Sequence, residues 1–581
     1  MTSAAPRRSV NLSIALVALI YLLTLLALEK RAFWITDNAN KFLQVRALLA
    51  SSYTDYSIPW PGAGIDPEFR YNPLPAPFSV VRDGKLYSQY PPLFALLSSL
   101  PYRWFGFPGL YLLPAAFSVL TLIGVARLAA LVEPRAGPLA VWLAGVCTPL
   151  WFYAVVFWEH AIALCFCVWA IRFHVRFRTT RALRDQLAGA VLAAGAVWFR
   201  EELILLGLIL VAFVFLDARK GKWTAALTSL GSLLAAIAPL ALFQWKTLGD
   251  PLGFHISSNL TGLSEHLGAR PAVFYNLLVS AGSSLPVSLA IAAPFLIGFL
   301  VNPRLTPPAF FRLYPWLGLI ASATGVVALA GLVTGSGPIA HLLQANSLFP
   351  AAPILLLGLV RPRWSAGAEP DVERLGLLAL GFALAYALVA PEISTSGIHW
   401  GNRFLLPVYP LLAIAAAVNL VRWRGASRWG AVALASTIAL SLAAQVASIR
   451  ILDLKKTHTL ASNRALERHT EPAVITNVWW APQALAPGFY ERPVFFVRSR
   501  AQLETLKVRL QDAGYDAFVF VTRATDRPAG ASVIDDLGLR FFSLAFTSAP
   551  TNVPGPALIR LRLAGDLDCE QHPAAASPCS R

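Results

Sequence analysis

The chain has 581 residues, 56% of them hydrophobic and only 14% charged, with a formal net charge of +17. So few charges exclude an ordinary soluble protein, in which about a quarter of residues are charged. The basic excess does not point to nucleic acid either, because Lys and Arg fall between apolar runs rather than along one soluble face.

A membrane-spanning helix needs about 20 apolar residues. Runs of that kind lie at 10–28, 110–131, 138–157, 160–174, 223–243, 274–301, 314–334, 340–360, 374–392, 403–421 and 428–448. Residues 10–28 carry no small-residue cleavage site and lead straight into a loop, which marks an uncleaved first span rather than a signal peptide. The stretch 186–216 has Arg200-Glu201-Glu202 at its middle. A central charge costs roughly 2.5–3.5 kcal/mol in a bilayer, so two helices meeting near those charges are expected there. The map then has about thirteen spans. On it, twenty Lys and Arg of the short loops share a side with the N-terminus, and only Arg200, Lys246, Arg270 and Arg403 face the other. Basic residues collect in the cytoplasm. The N-terminus is therefore expected inside the cytoplasmic (inner) membrane and the C-terminus outside.

Between the first two spans, residues 29–109 form a long outer loop. Its apolar, Pro- and aromatic-rich segment 90–105 reads as an interfacial helix, since Trp and Tyr favour the membrane boundary. Beyond residue 448 the apolar runs stop. Strand-like pieces at 474–480, 494–497 and 518–522, with an amphipathic helix near 500–513, suggest a small α/β domain. Two domains are expected: 1–448, including the outer loop, and an extracytoplasmic 449–581. Cys147, Cys165 and Cys167 sit in apolar runs as ordinary buried thiols. Cys569 and Cys579 in the tail are read equally as a disulfide or as idle thiols. No repeat, Walker motif, dinucleotide fingerprint, zinc-protease motif or serine elbow is present.

The outer-side polar residues are the candidates for chemistry: Asp37, Asn38, Tyr90, Glu159, His160, Arg200, Glu201, Glu202, His255, His399 and Arg403. Ionisable groups at a membrane boundary are costly and tend to be functional. Asp37 reads either as the N-cap of the following helix or as a general base, and a cap would fix the carboxylate that a base needs fixed. Arg403 reads as a snorkelling anchor or, against the positive-inside bias, as a partner for phosphate oxygens. Arg200 with Glu201 and Glu202 reads equally as a self-neutralised set. Glu159-His160 offers a second acid, but two adjacent residues do not make a metal site. His255 is the weakest candidate, a lone loop histidine.

Taken together, these pieces resemble the GT-C superfamily of glycosyltransferases, in the branch of protein O-mannosyltransferases and lipid A aminoarabinose transferases. The resemblance rests on several motifs in order. Trp34-Ile35-Thr36-Asp37 follows span one and Tyr90-Pro91-Pro92-Leu93-Phe94 closes the loop. Arg200 lies in a helical hairpin, Gly249-Asp250-Pro251-Leu252-Gly253 follows, and Gly401-Asn402-Arg403-Phe404-Leu405-Leu406-Pro407 precedes a late span.

It implies inverting transfer of a sugar from a polyprenyl-phosphate donor to a glycan, lipid or protein acceptor. Asp37 would be the general base, Glu159 a second acid, and Arg200 and Arg403 the holders of the lipid phosphate. Tyr90, His160, Glu202, His255 and His399 would be further substrate contacts. Many relatives carry Asp-Glu where this chain has Asp37-Asn38, which argues against roles needing two adjacent carboxylates. No cofactor is required by the sequence, and a divalent metal is compatible with it. The competing reading is a polytopic transporter or lipid-linked glycan flippase, which would favour inverted repeats that the sequence lacks. A polymerase or ligase of surface glycans would share the chemistry with a different acceptor.

Overall fold

The computed structural model describes residues 4–218, 221–253, 256, 267–280, 347–359, 370–391, 399–422, 428–523 and 539–545. Chain contacts divide the molecule into two compact units, each built from separated stretches. One holds Met1–Leu28 and Pro108–Leu452, the other Glu29–Phe107 and Asp453–Arg581.

The first unit is helical. Its elements in order are α1 (Ala4–Ala27), α4 (Leu112–Val132), α5 (Gly137–Val146), α6 (Leu150–Ala154), α7 (His160–Thr180), α8 (Leu183–Val197), α9 (Ile204–Asp217) and α10 (Lys222–Leu248). Helices Pro370–Val389 and Val408–Arg422 follow, and Arg428–Glu467 runs on into the second unit. Among the described residues, six helices are long and apolar enough to cross a membrane. The span α7 is the central one, with 72% of its apolar window buried, whereas the windows of α1 and α10 are only 22% buried. An apolar helix left that open in a chain of this composition is one that faces lipid.

Three expected spans differ from the structure. The run 138–157 is split into α5 and α6, because Pro149 supplies no N–H and pushes Thr148 out of the helical region. The run 340–360 is described only over 347–359, where it forms a four-residue helix, Leu348–Ala351, and a 3₁₀ stretch, Pro353–Gly358. The run 428–448 belongs to a 40-residue helix ending at Glu467. At 1.5 Å per residue that helix is about 60 Å long, twice a hydrocarbon core. Of the remaining runs, 314–334 and all but the start of 274–301 lie outside the described residues, as do Cys569 and Cys579.

The stretch 186–216 is a hairpin, with α8 and α9 joined at a 3₁₀ turn, Glu201–Leu203. At the far end of α9, ion pairs tie it to α7 and to helix Pro370–Val389: buried Asp217 meets His174 at 3.5 Å, Arg178 at 3.5 Å and Arg374, while Arg178 also meets Asp371.

In the second unit, α2 (Thr36–Ala50) is followed by the hairpin β1 (Ser79–Arg82) and β2 (Lys85–Ser88), then by α3 (Pro92–Phe105). The far part of the chain adds β3 (Val474–Thr476), β4 (Val494–Phe496), β5 (Ala517–Arg523) and β6 (Leu539–Ala545). They form one sheet in the order β4-β3-β5-β6, with β3 parallel to both neighbours and β6 antiparallel to β5. Helix Arg500–Asp512 makes the crossover from β4 to β5, capped by Ser499 and burying Leu503, Leu506 and Leu510. That spacing of i, i+3 and i+7 puts the three leucines on one face.

The outer loop is stitched to this sheet by long-range bonds. Trp60 Nε1 donates to the Val494 carbonyl (2.9 Å), the Phe496 amide to the Tyr71 carbonyl (3.0 Å), and the Tyr490 hydroxyl to the Leu43 carbonyl (2.8 Å). The sequence groups residues 29–109 with the spanning part, whereas the contacts group them with the tail.

Candidate active site

The second unit holds Asp37. The helix α2 starts at Thr36 with Ile35 in the capping position, so Asp37 lies in the first turn and is not the cap. Asn38 reaches back instead, its Oδ1 accepting from the Ile35 amide at 3.2 Å. A carboxylate in the first turn faces the positive end of the helix dipole. Asp37 is buried, and the Tyr90 hydroxyl donates to its Oδ1 at 2.6 Å. Lys41, which the sequence reading missed, is buried one turn further along α2, with its Nζ 3.6 Å from the Tyr90 ring centroid.

The first unit holds the other candidates, gathered around one hairpin turn and one late turn. Arg200 caps the 3₁₀ turn Glu201–Leu203 and is buried with both of its carboxylate partners. Its Nε donates to Glu202 Oε1 at 2.7 Å and one terminal nitrogen donates to Glu159 Oε1 at 3.2 Å. His160 starts α7 and packs against Trp158 (ring centroids 4.4 Å) and Tyr153 (5.3 Å), with its Nδ1 3.8 Å from Glu159. Glu201 accepts from the Gln244 side chain at the end of α10. Gly253 is why the following loop can pass so close: it has φ +77°, and a Cβ there would fall 2.6 Å from Glu201 Oε1.

The late turn explains the residues around Arg403. Gly401 has φ +59°, and a Cβ on it would meet Pro149 and the Tyr409 hydroxyl, both at 2.5 Å. Asn402 caps the 3₁₀ turn Arg403–Leu405, its Oδ1 accepting from the Phe404 and Leu405 amides (3.1 and 3.2 Å). Arg403 then projects from a rigid base over the rings of Trp158 (5.2 Å) and Phe404 (4.9 Å). The opposite cation, Arg200, lies 5.3 Å from the same Phe404 ring. His399 is buried with Nδ1 2.7 Å from the Gly401 carbonyl.

The first unit therefore brings together Glu159, His160, Arg200, Glu202 and Arg403, with His399 in the same late turn. Asp37 and Tyr90 meet within the second unit. His255 lies outside the described residues. Among the described residues, no group of three or more His, Cys, Asp or Glu could hold a metal ion.

Chemically, Arg200 answers two carboxylates, whereas Arg403 is presented on aromatic faces. A guanidinium stacked on rings has its plane fixed, which suits planar recognition of phosphate oxygens. Lys41 carried a signal that could have been read from the sequence. Asp37 and Lys41 are spaced i, i+4 in the order that favours an ion pair on a helix.

No family model and no curated protein matches the chain. Among solved structures, ArnT from Cupriavidus metallidurans bound to undecaprenyl phosphate aligns over 93% of this chain and 99% of its own, at 14% identity and a TM-score of 0.51. The apo form of the same protein aligns over 90% and 94%, at 14% identity and a TM-score of 0.50. The Archaeoglobus fulgidus oligosaccharyltransferase aligns over 87% of this chain and 69% of its own, at 12% identity and a TM-score of 0.40. The end-to-end likeness to ArnT shows that this chain shares that protein's fold, and six of its described helices are long and apolar enough to cross a membrane.

Proposed function

We propose that this protein is a membrane glycosyltransferase that moves a sugar from a polyprenyl-phosphate donor to a glycan, lipid or protein acceptor of the cell envelope. The reaction takes place on the outer side of the cytoplasmic membrane. The observation that carries this reading is the alignment along nearly the whole chain with ArnT, whose structure holds undecaprenyl phosphate. A donor that arrives through the bilayer needs no nucleotide-binding fold, and none of the corresponding motifs is present.

In this scheme Asp37 takes the proton of the acceptor hydroxyl. The oxygen bonds to the anomeric carbon while the bond to the lipid phosphate breaks. One displacement of this kind inverts the anomeric centre. The departing phosphate is a good leaving group, so a fixed base and a cation for its developing charge suffice. Arg200 and Arg403 are both assigned to that charge: Arg403 is held over the rings of Trp158 and Phe404, and Arg200 is bound to Glu159 and Glu202. Glu159 then serves Arg200 rather than acting as a second acid. Tyr153, Trp158 and His160 line the Arg403 side of the turn and are assigned to substrate contact.

The test uses purified full-length protein in lipid nanodiscs with a panel of polyprenyl-phosphate sugars. Asp37→Asn is expected to abolish turnover while leaving binding of undecaprenyl phosphate intact. Arg403→Ala is expected to weaken that binding at least tenfold. Turnover of Asp37→Asn at the wild-type rate removes the base, and movement of an intact solute with no sugar transferred removes the enzyme.

A further inference from the structure

Three polar side chains of the second unit converge on one point. Asp37 and Lys41 lie one turn apart on α2, 7% and 2% exposed. Tyr90, at the end of the outer loop and 2% exposed, joins them: its hydroxyl donates to Asp37 Oδ1 at 2.6 Å, and Lys41 Nζ lies 3.6 Å from its ring centroid. The loop end is itself anchored. The Tyr56 hydroxyl donates to the Tyr90 carbonyl at 2.9 Å, and Gln44, two turns from Asp37 on α2, donates to the Tyr56 oxygen.

Burying an ammonium or a carboxylate carries a heavy desolvation cost. Helix support from an i, i+4 pair returns only a small part of it. Leu at 41 and Phe at 90 would fill the same space without that cost, so packing alone does not account for the trio. A short hydrogen bond from a phenol to a carboxylate is about twice as strong as a neutral one and pins the rotamer. A desolvated cation on the ring face is attracted to it and draws electron density from the phenol.

We infer that Tyr90 and Lys41 are positioning residues for Asp37: a phenol clamp and a buried cation that keep the carboxylate ionised and in one orientation. This rests on Asp37 being the base of the proposed transfer. Tyr90, expected from the sequence to touch substrate, spends its hydroxyl on Asp37 instead. The titratable neighbours include Lys41 from the same helix and Tyr56 and Tyr90 from the loop. Arg46, further along α2, is turned to the Tyr490 ring at 5.3 Å.

The test reads Asp37 directly. Infrared titration of purified full-length protein, with the Asp37→Asn spectrum subtracted, isolates the carboxylate band of Asp37 without any substrate. In Tyr90→Phe and in Lys41→Met the band is expected to titrate at least one pH unit higher, a tenfold loss of acidity. Lys41→Arg is expected to return it to the wild-type position, which separates charge from packing and serves if Tyr90→Phe does not fold. A band that titrates at the wild-type pH in both Tyr90→Phe and Lys41→Met overturns the inference. An Asp37→Asn enzyme that still turns over, beside a shifted band, refutes the base and leaves the clamp standing.

Discussion

Replacing Arg200 by Met removes a guanidinium that answers two buried carboxylates. Its nitrogens lie 2.7 Å from Glu202 and 3.2 Å from Glu159, and all three side chains are at most 3% exposed. At an effective dielectric of about 20, each attraction is worth roughly 5–6 kcal/mol before desolvation. Desolvation offsets much of that, and deleting one partner of a buried pair costs about 3–5 kcal/mol net, because the remaining charge has nowhere to go. The first unit spans roughly 370 residues. With about 2 cal/mol/K of unfolding entropy per residue, the loss corresponds to a fall of about 4–6 °C in the thermal midpoint of the detergent-solubilised protein. Replacing all three residues, as Arg200→Met with Glu159→Gln and Glu202→Gln, should recover most of the loss, since no uncompensated charge remains. A single variant within 1 °C of wild type would refute the reasoning, as would a triple variant no better than the single.

Gly401→Ala places a Cβ in a left-handed conformation against Pro149 and Tyr409. The conformation alone costs about 1–2 kcal/mol, and displacing the Asn402 cap adds about 1 kcal/mol. We expect both a lower unfolding midpoint and weaker binding of undecaprenyl phosphate through Arg403, read by calorimetry on the same sample. In the second unit, the Lys85 ammonium 2.7 Å away and the Ser57 amide hold the Asp55 carboxyl below its ordinary value. An acid lowered in the folded state contributes stability at neutral pH that is lost as pH falls through its folded value, below about pH 4. Because the pair is exposed and screened, the loss should be small. It should be absent in Lys85→Gln when unfolding midpoints are compared between pH 7 and pH 3.

Much of this protein can be read from local sequence because hydropathy is a sum of local transfer energies. Apolar runs placed α1, α4, α7 and α10, and the cost of a central charge placed the hairpin turn at Arg200. Alternating β-branched and aromatic residues placed β3, β4 and β5, and a one-sided leucine pattern placed the helix between the last two. The same local reading ran straight through Thr148-Pro149 and stopped at residue 448, where polarity changes but helical propensity does not.

What the tertiary structure alone decided are the pairings between residues far apart in the chain. Glu159 is claimed by Arg200 across 41 positions, and Tyr90 by Asp37 across 53. Trp60 binds the Val494 carbonyl across 434, which joins the outer loop to the tail as one unit. Lys41 looks like an ordinary polar position on an amphipathic helix until the loop closes over it. No hydropathy window contains such contacts, because their energy depends on which distant group arrives and on whether water is excluded when it does.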